Sequence, residues 1–248
     1  MKNVCITSAF RTAVGSYNKS LKSINAKDLG SVVISKAVEN SKISNDAVDE
    51  VIMGQVLTGG SGQNPARQAA IKSGISKDRP AYIVNQVCGS GMRSIASGFQ
   101  SIKAGDSKII IAGGQENMSL APHAIHLRDG KKLGNAKLID TMIEDGLWDA
   151  FNNYHMGITA ENVAEKFQIT REEQDKFAVK SQEKALKAQK ENKFKEEIIN
   201  YKIKSNKAVI NFDKDEHPRE GINLDTLSRL KPVFKKDGTV TAGNSSGI

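Results

Sequence analysis

The stretch Ala81-Tyr82-Ile83-Val84-Asn85-Gln86-Val87-Cys88-Gly89-Ser90-Gly91 constrains this chain more than any other. Ala81–Val84 is an apolar run that reads as the end of a buried strand. Beyond it, Met92, Ile95, Ala96, Phe99 and Ile102 recur at helical spacing and stop near Gly105. Cys88 therefore falls where a strand turns into a helix. A helix N-terminus carries partial positive charge and free N–H groups, which favour thiolate over thiol. Gly89 and Gly91 let a substrate approach the backbone. A lone cysteine is most often an inert core filler, and this context brings a nucleophilic reading level with that one.

The order of elements around it points to an α/β fold. Asn3–Phe10 alternates like a first strand, and Leu29, Val32, Val33 and Ala37 form a helix stripe behind an Asn25/Asp28 capping pair. Val51–Leu57, Ala81–Val87 and Lys108–Gly114 read as three further strands. Between them Asn64-Pro65 supplies an N-cap and first turn. Residues 1–118 thus predict a layered β-α-β-α-β-α-β sheet domain with helices on both faces. From Ser119 the pattern becomes polar and irregular. Ala160, Val163, Ala164 and Phe167 mark a short helix, and Thr170 with Glu173 forms a capping box for a long one through about Lys190. Residues 198–210 and 233–241 look strand- or loop-like, so 119–248 reads as a second, irregular α+β lobe.

Several function classes fall away. A length of 248 residues fits one large or two small domains. No apolar run approaches the roughly 20 residues of a membrane span. Met1–Ile6 enters a strand-like segment without a signal-peptide core, and two cysteines make no disulfide framework. A reducing cytoplasm is the expected compartment. The net charge of +8 suits an anionic substrate. The densest basic run, Lys180–Lys207, alternates with glutamates as a solvated helix face does, and no basic–aromatic interleaving favours nucleic acid. The glycines at 59–62 lack the Lys-Ser/Thr of a P-loop and the third glycine of a dinucleotide fingerprint. His123, His126 and Asp129 do not complete a metal set, so no metal is expected.

The Asn85–Gly91 stretch resembles the nucleophile motif of the thiolases, close to their acetyl-CoA acetyltransferase branch. Similar matches are Arg11–Gly15, Gly62–Gln68, Gly113–Ser119, Tyr154–Gly157 and Thr239–Asn244. The resemblance implies that Cys88 is acylated while two acetyl-CoA condense to acetoacetyl-CoA, or in the reverse thiolysis, within fatty-acid metabolism. Coenzyme A thioesters are then substrates, and no cofactor is expected. It also implies that 119–248 is a loop domain, with Leu147, His155, Met156, Arg219, Thr226, Phe234, Ala242 and Ser246 lining the CoA channel. Thr226 replaces a frequent serine but keeps the hydroxyl. Ala121–Gly134 would build a homotetramer contact.

The family's catalytic histidine, asparagine-held water and second cysteine have no match, and Glu216-His217-Pro218 lacks the glycine of the histidine motif. The resemblance thus implies an N-terminal part lacking the last strand of its sheet, inactive alone and prone to self-association. Two other readings are a longer-chain 3-ketoacyl-CoA thiolase and a non-catalytic CoA-binding or assembly module.

Overall fold

The computed structural model describes residues 3–204 and 208–248. Met1 and Lys2 of the opening segment, Lys207 of the basic run and the centre of the 198–210 stretch lie outside the described residues.

In chain order the first half holds β1 (Arg11–Thr12), α1 (Ala26–Asn40), β2 (Glu50–Gly54), α2 (Pro65–Lys72), β3 (Ala81–Val84), α3 (Ser90–Ala104) and β4 (Ile110–Gly114). The sheet is parallel, in the order β3-β2-β4, with Met53 opposite both Ile83 and Gly113. Period-2 alternation sends β2 side chains to opposite faces. On one face Val51 and Met53 pack with Ile34 and Val38 of α1 and Ala66, Ala69 and Ala70 of α2. On the other lies α3, whose Gly98 faces Ile110 and Ala112. Helices therefore cover both faces, as the β-α-β order requires.

Two expectations for this half need correction. Residues 3–10 form no strand; the first ladder, Arg11–Thr12, runs parallel to Ile198–Ile199. Alternating side chains specify two faces but cannot supply a backbone partner, and Ile6 is 77% exposed with no layer facing it. Asn25 is the N-cap of α1 but its side chain caps nothing. Asp28, its supposed partner, instead meets the Lys72 ammonium at 2.6 Å.

The orientation of α3 departs from usual amphipathic packing. Its inward face is Ser90, Ser94 and Gly98, all small, whereas Met92 is 79% exposed and Ile95 and Phe99 are exposed too. Small residues let the helix settle directly on the strands. The Ser94 hydroxyl lies 2.7 Å from the carbonyls of both Gly91 and Gly113 and shares its proton between them.

The second half continues with β5 (His123–Ala124), β6 (Ile139–Asp140), α4 (Thr141–Gly146), β7 (Trp148–Asp149), β8 (Tyr154–His155), α5 (Met156–Lys166), α6 (Arg171–Lys190), β9 (Ile198–Ile199), β10 (Tyr201–Lys204), β11 (Val209–Phe212) and α7 (Leu224–Ser228). The capping box of α6 is present in both directions. Strands β10 and β11 pair antiparallel, and Phe212 joins Ala13, Leu21 and Leu29 in a second core cluster. The buried face of α5 is Gly157, Glu161 and Ala164, while Val163 and Phe167, expected in its stripe, are exposed. Among the described residues no helix is long and apolar enough to cross a membrane.

Candidate functional site

Cys88 is free and exposed, one residue before Gly89, the N-cap of α3. The turn that displays it is tightly built. Val87 adopts φ 46°, a left-handed conformation that a β-branched residue avoids at a cost of about 1–3 kcal/mol. Local bonds hold it there. The Asn85 side chain accepts the Val87 N–H at 2.9 Å, and the Gly89 N–H donates to the Gln86 carbonyl at 3.0 Å. The Ser90 hydroxyl, in a side chain only 4% exposed, accepts the Gln86 N–H at 2.9 Å and donates to the Val87 carbonyl at 2.6 Å. Among the described residues the Cys88 N–H donates to no protein acceptor, and the residue itself is exposed.

Glycines seat this turn on the sheet. A methyl on Gly54 would lie 2.5 Å from the Gly91 nitrogen and closer still to the Ser90 carbonyl carbon, and one on Gly114 would meet the Gly91 Cα at 3.4 Å. Glu116 fixes the segment after β2 by accepting the N–H groups of Val56 at 2.8 Å and Leu57 at 3.2 Å. Burial pushes its carboxyl up, against the downward pull of those two bonds.

Four of the residues assigned to the CoA channel meet where α4 ends and α5 begins. The Met156 N–H donates to the Leu147 carbonyl at 2.8 Å, and His155 pairs with Trp148 across β7 and β8. The His155 ring stacks on Phe234 with centroids 4.9 Å apart and 17° between planes. Its Nδ1 accepts the Gly157 N–H at 3.0 Å, capping α5, so the neutral ring carries its proton on Nε2. Thr226 caps α7 with Asn223, and the Leu227 beside it packs over Gly243, next to Ala242. Arg219 is exposed, its N–H donated to the Gln182 side chain at 2.9 Å. Ser246 is exposed, and its neighbour Gly247 packs on the His217 ring. Among the described residues Cys88 makes no hydrogen bond or ion pair with any of these.

Glu161 is the residue that the sequence reading missed. It is 4% exposed, and its carboxylate accepts the N–H groups of Thr239 and Val240 and the Thr239 hydroxyl, at 2.8 to 3.0 Å. Burial alone would raise this carboxyl; the bonds from Val240 and Thr239 outweigh it and hold it below the usual carboxylate range. The charge pins the loop before Ala242 to the helix that starts beside His155. Its position four residues after Gly157 and three before Ala164, on one helix face, was the available signal. Two solvent grooves lie elsewhere: one of about 920 Å³ beside Lys190, Phe194 and Lys214, and one of about 720 Å³ beside Glu50, Arg79 and Tyr82. Neither is lined by Cys88 or by the channel residues.

Comparison with known proteins adds to this geometry. The family description "Thiolase, N-terminal domain" matches residues 4–248. The acetyl-CoA acetyltransferase of Rhizobium meliloti is 54% identical over 246 residues, 99% of this chain and 63% of that protein. That of Cupriavidus necator is 56% identical over 250 residues, 100% of this chain and 64% of its own length. The cytosolic enzyme of Rattus norvegicus is 50% identical over 99% of this chain and 62% of its own. Among solved structures, the acetyl-CoA acetyltransferase of Bacillus anthracis superposes with a TM-score of 0.95 at 39% identity, over 98% of this chain and 62% of that one. The chain thus spans a little under two thirds of the length of the relatives it matches.

Proposed function

Since this chain belongs to the thiolase family, we propose that it acts in acetyl-CoA C-acetyltransfer, with Cys88 as the residue that takes the acetyl group. One observation carries the reading: an exposed cysteine held out on a strained turn, directly before a helix packed glycine-to-glycine on a parallel sheet. In the acylation step the Cys88 thiolate attacks the thioester carbonyl, a new S–C bond forms, and the coenzyme A thiolate leaves. The open Cys88 N–H and the positive end of α3 suit the negative oxygen that develops. Condensation then needs a base to remove a proton from the second acetyl-CoA. No residue of this chain is assigned to it, since His155 is committed to capping α5.

On this reading 1–118 is the core domain and 119–248 the loop domain that grips coenzyme A. The stacked His155 and Phe234, with Leu147 and Met156, form one wall of the channel; Thr226 and Ala242 form another, and Arg219 and Ser246 meet its polar end. The proposal also covers a cytoplasmic location and a homotetramer built through Ala121–Gly134, where the exposed Leu127 and Leu133 support self-association.

Incubation with acetyl-CoA followed by intact mass and peptide mapping tests the reading. An acetyl group on Cys88, absent from Cys88→Ser, is the expected result. Coenzyme A bound without any covalent acetyl would instead favour a binding module.

A further inference from the structure

We propose that Ser90 is a positioning residue for Cys88, an inference that rests on Cys88 being the acyl acceptor. Among the described residues the Ser90 hydroxyl is the one side-chain group that bonds the turn on both sides of Val87. It takes the N–H of Gln86, before the strained residue, and gives its proton to the carbonyl of Val87 itself. One bond holds the Asn85–Gln86 peptide and the other the Val87–Cys88 peptide, on either side of the Val87 φ of 46°. Without them the strained β-branched residue keeps only the Asn85 side chain and the backbone bonds from Gly89 and Ser90, and its pull back to extended backbone is less opposed. That rotation would swing the Val87–Cys88 peptide and turn the Cys88 N–H to a new direction.

Ser90 is itself packed against the sheet. Its carbonyl carbon lies against Gly54 of β2, and its side chain is buried, so the hydroxyl is referenced to the sheet and not to the loop. The consequence concerns two reactions of one sulfur. Acyl transfer forms the S–C bond, releases the coenzyme A thiolate and needs the N–H aligned on the developing oxyanion. Alkylation by iodoacetamide displaces iodide and needs only an accessible thiolate. Ser90 should matter to the first and hardly to the second.

The experiment compares both rates at Cys88, by intact mass, in the whole chain and in Ser90→Ala, with circular dichroism to check folding. Acetylation from acetyl-CoA should fall about 10- to 100-fold, the range expected for a misaligned reacting group, while iodoacetamide alkylation stays close to that of the parent. Where Ser90→Ala does not fold, the same comparison is made in a Val87→Gly background, in which the left-handed conformation costs little. There the strain that the hydroxyl restrains is gone, so adding Ser90→Ala should leave acetylation close to that of Val87→Gly. Unchanged acetylation in Ser90→Ala alone overturns the proposal, as does a large selective loss in the Val87→Gly background. So does an equal fall in both reactions, which would mean that Ser90 only supports the fold. Absence of acetylation on the unmodified chain, with alkylation intact, would instead remove the nucleophile reading, and this proposal with it.

Discussion

Gly54 lies directly beneath Ser90, so close that the strand and the helix start touch backbone to backbone. Gly54→Ala forces a methyl into that contact, against main chain that cannot rotate away. The expected destabilisation is about 1–3 kcal/mol, the range for overpacking a core. A urea midpoint unchanged by the substitution would show that the contact is looser than described.

A second glycine governs the histidine–phenylalanine stack. A methyl on Gly157 would enter the space of the Phe234 ring and push it off His155. Gly157→Ala should weaken coenzyme A binding about tenfold, the loss of roughly 1.4 kcal/mol of contact, with little change in the rate of Cys88 alkylation. Calorimetric titration with coenzyme A measures it; equal affinities would take the stack out of the channel.

Acid should unfold this chain partly through two carboxyls. Glu161 is held low by Val240 and Thr239 against its burial, and Asp215 is held low against its burial by Arg11 and the Val14 N–H. Arg11 grips Asp215 with two bonds of 2.8 and 3.0 Å. Both carboxyls release protons more readily folded than unfolded, so their stabilisation is complete above the ordinary carboxylate range and is lost as pH falls through it. Glu161→Gln should cost about 1.5–3 kcal/mol near neutrality and flatten the acid limb of a melting-temperature profile. An acid limb as steep as the parent's would remove Glu161 from the account.

Thiol titration gives a count. Cys5 and Cys88 are both free and exposed, so a disulfide reagent should modify both in the native chain and only one in Cys88→Ser. Peroxide should convert Cys88 to a sulfenic acid that dimedone traps. One reactive thiol in the folded parent would mean that one of these sulfurs is covered.

What the sequence revealed was mostly local. The strand–cysteine–helix order, the Asn64-Pro65 helix start and the Thr170–Glu173 box depend on neighbours within a turn, and each is in place. Ala81–Val87 proved shorter because Asn85–Val87 is already the turn, and a valine there gives no hint of positive φ. Residues 3–10 could not be read correctly, because a strand exists only with a partner that local sequence does not name. Glu161 was not legible because nothing in its immediate neighbours signals its burial. Its partners lie 78 and 79 residues away.

The inverted seating of α3 changes which substitutions this helix should tolerate. In a saturation scan of this chain read out by folded yield, trimming Met92, which is 79% exposed, ought to cost little, although it looks like a core anchor on paper. Enlarging Gly98, whose missing side chain leaves room for Ile110, ought to be among the most damaging changes in the helix.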